Sequence, residues 1–405
     1  MSNRKTSSAY VAALSLAWAA AACGGRDSLF LAAAESSSAG ASALGGSVAE
    51  AGGASRAGAS NGGGTSRGGA SGAAASNGGA SGAGASNGGA GGANSGASGE
   101  GGALQRGGAG GAGGSTCPSA TAECQPVVLA DHQNAPCGIV VDASNVYWTS
   151  GDGTVQTVPI AGGQATTLAA GQVNPCGVAV DATRVYWVNL TLFGQVMSVP
   201  LSGGPPTVLA DNQSYPYNIV TRDGALYWTN NGNAIRGAVL TLPITGGTPV
   251  VLADNQLHPG GIAIAGDTLY WTSFGGGTIR SLPLAGGVVS TIATGQGNPV
   301  SLSVVGSSVY WTSDGTGKVA KAPVGGGQAV VLASGADPSG LVADERNVYW
   351  SDSYGTVERV PVSGGVSTVL ASDQISPWAM AIDAHHVYWI NDADNGVGAV
   401  MKIAK

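Results

Sequence analysis

The sequence predicts an all-β fold built from seven copies of one four-stranded antiparallel unit. The dipeptide Tyr-Trp occurs seven times, beginning at Tyr147, Tyr186, Tyr227, Tyr270, Tyr310, Tyr349 and Tyr388. Successive copies lie 39–43 residues apart, which is the period of a repeat architecture. Each period holds four short runs rich in β-branched residues and separated by Gly and Pro, a pattern typical of strands. Four antiparallel strands in about 40 residues form one blade of a β-propeller, so we expect seven blades.

The four strands of each unit follow a constant order. An outer strand ends in Val-Leu-Ala, as at residues 128–130, and a Gln-x-x-Pro loop then leads into an apolar run such as 137–141. A third strand contains Val-Tyr-Trp, and a fourth follows Gly-Thr-Val-x-x-Val-Pro, as at 153–159. The continuous apolar run fits a strand buried on both faces between neighbouring blades. Since consecutive strand residues point to opposite faces, each Tyr-Trp pair is expected to fill two interblade spaces.

The ends of the repeat predict how the ring closes. Six units join the fourth strand to the next outer strand through Gly-Gly, which suits two-residue hairpin turns. The seventh has no such turn, because the chain ends on a fourth-type strand at 398–405 and the repeats begin on an outer-type strand at 126–130. We therefore expect the N-terminal strand to pair into the last blade, which would leave only protected edges.

The first 23 residues resemble a bacterial export signal. Arg4 and Lys5 precede an apolar run at 10–22 that is too short to span a bilayer. The following Cys23 ends an Ala-Ala-Ala-Cys sequence that resembles a lipoprotein box, although Leu usually stands three residues before the cysteine. The resemblance implies removal of a signal peptide (1–22), acylation of Cys23 and the lipid bilayer as a partner. It also implies a bacterial cell envelope location, at the outer membrane or cell surface. An ordinary secretory signal is the alternative.

Residues 23–116 differ in composition from the repeats. The whole chain contains 70 glycines in 405 residues. Many of them fall in this segment, in near-copies of Gly-Ala-Ser-Asn-Gly-Gly. A segment of this composition has too little apolar surface to offset the entropy cost of ordering its backbone. We therefore expect it to be a disordered tether that acts as a spacer. A Gly-rich chain of this length has a root-mean-square span of roughly 55 Å. The propeller is then expected over residues 117–405.

The cysteines indicate two disulfides. Apart from Cys23 there are four, an even set that usually pairs in an oxidising compartment. Cys137 and Cys176 hold equivalent positions at the start of the inner strands of adjacent blades, where the strands converge to a distance that a disulfide can bridge. That leaves Cys117 to pair with Cys124. A metal site is the alternative, although no His or acidic cluster accompanies these cysteines.

Candidate ligand-binding residues stand in the loops before the inner strands. Propellers bind ligands at the mouths of the central channel, and each of these loops ends in Pro, which places its neighbours at the rim. The candidates there with aromatic or polar side chains are Tyr215, Tyr217, His258, Asn298, Asp337 and Trp378. The ligand class stays open between a protein, a glycan and a small molecule. Nucleic acid is not expected as a partner, because the net charge is −7.

Four aspartates form a second candidate set at the opposite mouth. Asp142, Asp181, Asp344 and Asp383 each lie five residues before a repeat tyrosine, in four blades that become neighbours when the ring closes. Clustered oxygens attract calcium, so this arc is a weak candidate for a structural calcium site. The alternative is that Asp simply suits tight turns. No other cofactor is expected.

The repeat strand, Tyr-Trp followed by Thr, Ser, Val or Ile and then Ser, Asp or Asn, resembles the YWTD repeat of low-density-lipoprotein-receptor-type propellers. The resemblance covers nearly all of 125–405 and implies the blade architecture. Two features differ: such propellers usually have six blades, and the final Asp occurs here only at Asp352. The repeats, the glycine-rich linker and the lipoprotein box together also resemble repeat lipoproteins of myxobacterial type.

Catalytic motifs are sparse in the repeats. There are four histidines in the chain, and no nucleophile elbow, zinc-binding His pair or phosphate loop. We therefore expect a membrane-anchored, surface-displayed propeller that binds a partner without catalysis. Similar propellers include lyases and lactonases that use channel-mouth side chains with a divalent ion, so a metal-dependent lyase or lactonase using His258 is the alternative. A purely structural envelope lipoprotein is a third interpretation.

Overall fold

The computed structural model describes residues 125–233, 236–393 and 396–405. These residues contain 28 β-strands in seven separate four-stranded sheets, with every neighbouring pair antiparallel. The predicted all-β, seven-bladed propeller is therefore confirmed. The predicted signal peptide and tether, together with Cys23, Cys117 and Cys124, all lie outside the described residues.

Each blade runs from an inner strand on the ring axis to an outer strand at the periphery. Blade 1 contains β2 (Pro136–Val141), β3 (Asn145–Ser150), β4 (Thr154–Pro159) and β5 (Thr166–Ala169). Blade 2 contains β6 (Pro175–Val180), β7 (Arg184–Asn189), β8 (Gly194–Pro200) and β9 (Thr207–Gln213). Blade 3 contains β10 (Pro216–Arg222), β11 (Ala225–Asn233), β12 (Arg236–Pro243) and β13 (Val250–Gln256). Blade 4 contains β14 (Pro259–Ala265), β15 (Thr268–Ser273), β16 (Thr278–Pro283) and β17 (Ser290–Ala293).

The remaining blades keep the same order. Blade 5 contains β18 (Pro299–Val305), β19 (Ser308–Ser313), β20 (Lys318–Pro323) and β21 (Val330–Ser334). Blade 6 contains β22 (Pro338–Ala343), β23 (Asn347–Asp352), β24 (Thr356–Pro361) and β25 (Thr368–Ala371). Blade 7 contains β26 (Pro377–Ile382), β27 (His386–Asn391) and β28 (Gly398–Ala404), and its outer strand is β1 (Val127–Gln133).

The N-terminal strand closes the ring as the sequence predicts. β1 pairs antiparallel with β28, from Val127 opposite Lys402 to Gln133 opposite Gly398. It runs three residues past the predicted end at residue 130, with register shifts on both sides of Ala130. The inner strands of blades 7 and 1, β26 and β2, also contact each other, so the ring is continuous.

The Tyr-Trp pairs fill the interblade spaces. The seven tryptophans of these pairs are fully buried, and each shares a hydrophobic cluster with the tyrosine of the preceding blade. Tyr147 of blade 1 packs with Trp187 of blade 2, and Tyr388 of blade 7 packs with Trp148 of blade 1. One dipeptide thus supplies the large apolar bodies on both faces of its blade.

The Gln of the Gln-x-x-Pro loop satisfies the buried indole. Trp148 Nε1 donates to Gln133 Oε1 at 2.8 Å, and four further tryptophans donate to the equivalent glutamine: Trp228 to Gln213, Trp271 to Gln256, Trp311 to Gln296 and Trp389 to Gln374. The loop before β22 is one residue shorter and has no glutamine. There Asp352 Oδ2 accepts from the backbone N–H of Ala336, and Trp350 Nε1 has no hydrogen-bond partner.

This difference predicts unequal costs for one substitution at two matched sites. Trp311→Phe and Trp350→Phe remove the same atoms from fully buried positions. Only Trp311→Phe also removes a hydrogen bond, the one from Nε1 to Gln296 Oε1, which should cost about 0.5–1.5 kcal/mol more. Urea unfolding of the two variants measures the difference. Equal losses of unfolding free energy would show that the glutamine bonds contribute nothing.

The residue after Trp joins neighbouring inner strands. In blade 1 the inner strand shifts register between Pro136 and Ile139, and Thr149 Oγ1 accepts from the freed N–H of Gly138 at 3.0 Å. The same hydroxyl donates to the carbonyl of Cys176 in blade 2 at 2.7 Å. Hydroxyls at the equivalent position also donate to the next blade in blades 3, 4, 5 and 6. The inner strands that surround the axis are therefore held together by hydrogen bonds from these hydroxyl groups as well as by apolar packing.

Candidate functional site

The strand order gives the ring two distinct faces. One face carries the loops that end in an inner-strand proline, together with the loops between the second and third strands of each blade. We call it the proline face. The other carries the short turns after the inner strands and the Gly-Gly turns, and we call it the Gly-Gly face.

A cavity of about 120 Å³ lies on the axis and is lined by residues from the inner strands of all seven blades. Its wall includes the residue that follows the inner-strand proline in six blades: Cys137, Cys176, Tyr217, Val300, Ser339 and Trp378. Because these residues start their strands, the cavity lies toward the proline face. None of the described residues that line it carries a charge.

Blade 4 departs from the predicted rim. Gly260 follows the inner-strand proline of this blade and is therefore expected at the rim. In the structure it is Gly261, and not Gly260, that lines the cavity. A side-chain carbon at Gly260 would instead meet the Thr272 hydroxyl at 3.1 Å. Sequence reasoning also missed Asn218 and Ser301, which line the cavity one position further along their strands. The register shift inside each inner strand brings two successive positions to the axis, and it leaves no mark in the hydrophobic pattern.

Glycine at this second position lets adjacent inner strands approach closely. A Cβ at Gly177 would lie 2.6 Å from the Cα of Asn218 in the next blade, and one at Gly138 would lie 2.6 Å from the carbonyl oxygen of Cys176. Both obstacles are backbone atoms that cannot move aside independently. The narrow channel thus depends on residues without side chains at these contacts.

The predicted disulfide between Cys137 and Cys176 is present, with a Cα–Cα distance of 4.9 Å. It links the inner strands of blades 1 and 2 in the cavity wall. Beside it lies a small apolar cluster made of Cys176, Leu190 and Tyr215, with Tyr217 packed against them. One side of the mouth is therefore apolar and covalently fixed.

The structure separates the six predicted ligand-binding residues into two groups. Tyr217 and Trp378 line the axial cavity and are half-buried. Tyr215, His258, Asn298 and Asp337, which precede the prolines, do not line it. Three of these four have left-handed backbone, with φ of 50° at Tyr215, 50° at His258 and 54° at Asn298. The three residues with this backbone conformation all have side chains that lie outside the axial cavity.

The contacts of these outer residues are with the surrounding loops. Tyr215 is buried in the apolar cluster, and His258 Nδ1 lies 2.7 Å from Asn231 Oδ1 in β11 of blade 3. The Asn298 amide covers Gly315 in the loop of blade 5, where a Cβ would lie 2.9 Å from its nitrogen. The ligand-binding role of all six residues stays a prediction.

The four aspartates of the acidic arc each organise a turn on the Gly-Gly face. Asp142 Oδ1 accepts from the backbone N–H of Ser144 and of Asn145, both at 2.7 Å, and Oδ2 accepts from the Tyr147 hydroxyl at 2.7 Å. Asp181, Asp344 and Asp383 repeat this pattern with their own turns and tyrosines. Asp344 also binds Lys405 Nζ at 2.8 Å.

Apart from the bond from Lys405 of blade 7 to Asp344 of blade 6, these contacts engage each carboxylate within its own blade. In the described part of the chain, no group of three or more His, Cys, Asp or Glu side chains is placed to hold a metal ion. The weak calcium site stays a prediction. Nor does any helix among the described residues have the length and apolar character to cross a membrane.

The contacts in these turns shift the pKa values of several of the tyrosines and aspartates. Burial, followed by the hydrogen bond to Asp142, raises the pKa of Tyr147 to about 12. The pKa values of Tyr186 and Tyr388 are raised for the same reasons. Burial raises the pKa of Asp181, but hydrogen bonds from Tyr186, Thr183 and Arg184 outweigh it and leave the pKa below its usual 3.8.

These shifts predict a loss of stability at alkaline pH. A tyrosine whose pKa is raised on folding stabilises the protein fully below the unfolded pKa near 10. That contribution is lost as pH rises through the folded pKa, which is about 12 for Tyr147. Urea unfolding from pH 8 to 11.5 should show a falling free energy above pH 10. Tyr147→Phe should make the fall shallower, and an identical fall in wild type and variant would contradict the assignment.

The comparisons with known proteins show the fold alone. No protein-family model and no curated protein matches the chain. The virginiamycin B lyase of Staphylococcus aureus is similar in structure with a TM-score of 0.59 and 14% identity, over 69% of this chain and 99% of the lyase. The WD40 propeller domain of Doa1 gives 0.57 and 15%, over 69% and 96%.

A weaker structural likeness covers part of the ring. A chain of the nidogen/laminin complex aligns with 47% of this chain and 76% of its own length, with a TM-score of 0.43 and 24% identity. We draw no conclusion from a likeness of this strength.

Proposed function

We propose that this chain is a membrane-anchored, surface-displayed binding protein without catalytic activity, and that its ligand enters the axial cavity from the proline face. The observation that carries the proposal is the cavity itself. It is concave, lies on the axis, and presents both apolar and polar groups, as small-ligand and side-chain-binding sites do.

The lining selects an uncharged ligand group. Tyr217 and Trp378 offer aromatic faces, Asn218, Ser301 and Ser339 offer polar atoms, and no lining residue carries a charge. Moving an ion into such a site would cost several kcal/mol without a partner. A cavity of about 150 Å³ can bind benzene, so 120 Å³ accommodates a group about the size of one six-membered ring. That size suits an aromatic or aliphatic side chain or one sugar ring.

The point where the chain enters the ring favours display of this face. β1 begins at Val127 on the Gly-Gly face, because its other end at Gln133 leads into the proline loop before β2. The segment that precedes β1, which we propose to be a tether acylated at Cys23, therefore joins the ring on the face opposite the cavity mouth. Attachment there leaves the proline face accessible to partners.

The lyase or lactonase alternative gains no observation from the structure. His258, its candidate residue, lies beside Asn231 and does not line the cavity. The similarity to virginiamycin B lyase is one of fold, at 14% identity. Fold alone does not transfer an activity.

Ligand-observed NMR with the full chain tests the binding function. The probes are neutral fragments such as phenol, cyclohexanol and methyl glucoside, with benzoate as the charged comparison. We expect saturable binding of at least one neutral probe, weaker binding of benzoate, and loss of both in Tyr217→Ser/Trp378→Ser. A Val288→Ser/Val366→Ser variant changes exposed valines on the Gly-Gly face and should bind normally. Binding that survives the mouth substitutions, or no saturable neutral probe, would overturn the proposal.

Separate assays test anchoring and catalysis. Radiolabelled palmitate should enter the wild type and not Cys23→Ser in a bacterial expression host. Label in both proteins, or in neither, would refute the anchor. Turnover of lactones or cyclic esters that disappears in His258→Ala would refute the non-catalytic assignment.

A further inference from the structure

Six large apolar side chains are exposed on loops of the proline face. They are Val173, Phe193, Leu257, Tyr354, Ile375 and Val397, and we call them the apolar arc. Tyr354 is 78% exposed and Phe193 is 72% exposed, although both occupy loops that could hold polar residues. Large exposed apolar side chains that gather on one face of a domain point to an interaction site.

The arc runs from blade 6, through blades 7, 1 and 2, to the link between blades 3 and 4. Tyr354 and Ile375 belong to blade 6 and its link to blade 7, Val397 belongs to blade 7, and Val173 and Phe193 border blade 2. Leu257 ends the arc between blades 3 and 4. The loops of blades 4 and 5 on this face contribute no exposed large apolar side chain among the described residues.

The arc overlaps the apolar side of the mouth. Trp378 starts the inner strand of blade 7, Cys137 and Cys176 those of blades 1 and 2, and Tyr217 that of blade 3. Val397, Val173, Phe193 and Leu257 thus lie in or beside the blades whose inner strands carry the aromatic and disulfide wall, and Tyr354 and Ile375 extend the arc to blade 6. A partner whose apolar group occupies the mouth could extend outward over this arc.

Charge differs between the two faces. Nine described aspartates belong to loops or strand ends of the proline face, against Arg236, Lys318 and Arg280. Asp211 and Asp254 are exposed there, and Asp131 is exposed beside His132. On the Gly-Gly face, basic residues balance the acidic ones, as in the pair of Lys405 with Asp344. The proline face is therefore the acidic face of the ring.

We propose that the proline face docks a cationic, amphipathic protein segment, with apolar side chains on the arc and Lys or Arg beside the surrounding aspartates. This proposal rests on the proposed function and names its partner class. Complementary charge steers such a segment to the face, while the apolar contacts hold it. A second copy of this chain is disfavoured because its proline face is also acidic, and an anionic lipid surface is disfavoured for the same reason.

The test measures binding of three 14-residue peptides to the full chain by fluorescence anisotropy at 150 mM salt. The first alternates Leu and Lys, the second alternates Leu and Glu, and the third alternates Ser and Lys. We expect the Leu/Lys peptide to bind at least tenfold more tightly than either of the others. Equal affinity for the Ser/Lys peptide would mean attraction by charge alone, and equal affinity for the Leu/Glu peptide would mean apolar adhesion alone. Either result overturns the proposal.

Matched variants locate the site. Phe193→Ser/Tyr354→Ser should weaken the Leu/Lys peptide at least tenfold, whereas Val288→Ser/Val366→Ser on the Gly-Gly face should change it less than twofold. Comparable losses in both variants would overturn the proposal, as would tighter binding to phosphatidylcholine vesicles than to the peptide, or self-association that the arc substitutions abolish. Binding of neutral fragments to the cavity depends on Tyr217 and Trp378, so failure of the arc leaves the NMR result intact.

Discussion

Deleting residues 117–131, which include most of β1, should prevent the ring from folding stably. The deletion removes Leu129 from a cluster that contains Trp148 and Tyr388, and it leaves β28 as an open hydrogen-bonding edge. The loss of one buried leucine alone costs about 2–5 kcal/mol. Together with the unpaired edge this approaches the whole stability of a typical domain, about 5–15 kcal/mol.

Circular dichroism during thermal unfolding measures this effect. Deleting residues 30–110 is the matched control and should leave the melting temperature nearly unchanged, because we expect that segment to contribute no packing. Leu129→Ala is a milder variant that should fold and lose about 2–5 kcal/mol. A 117–131 deletion that melts like the full chain would show that β1 does not stabilise the ring.

Removing the disulfide should produce the second large effect. Cys137 and Cys176 are 39 residues apart, and a bridge over a loop of that length contributes about 4 kcal/mol by the loop-closure relation. In a Cys117→Ser/Cys124→Ser background, reductant can act on this bridge without interference from the other two cysteines of the mature repeat region.

The expected result is a loss of about 2–4 kcal/mol on reduction, and an equal loss in the background that also carries Cys137→Ser/Cys176→Ser. Reductant should have no further effect on that second variant. A change below about 1 kcal/mol in urea unfolding, or two free thiols in the untreated background protein, would contradict the bridge.

The sequence predicts the architecture because the same strand and turn motifs recur in every blade. Seven Tyr-Trp pairs and six Gly-Gly turns fix the number of blades, and the missing seventh turn identifies β1 as the closing strand. The disulfide is predictable for the same reason, since equivalent positions in adjacent blades must be near each other at the axis. These features are periodic, and periodicity survives in the sequence.

The site is less predictable because it depends on departures from the period. The register shift in the inner strands brings Asn218 and Ser301 to the axis, and left-handed backbone accompanies the placement of His258 and Asn298 away from it. Neither effect alters hydrophobic spacing. The acidic arc, by contrast, follows the period closely. Its aspartates recur because each one accepts a hydrogen bond from the tyrosine of its own blade. Position in the repeat alone does not distinguish a turn residue from a ligand.

Hydrogen exchange of the full chain, with and without the Leu/Lys peptide, tests most directly whether the proline face is the binding face. We expect slower exchange in the loops around Phe193, Tyr354, Ile375 and Val397, and in the first residues of β2, β6, β10 and β26. The Gly-Gly turns should exchange at unchanged rates. Protection confined to the Gly-Gly face, or spread equally over both faces, would contradict the account.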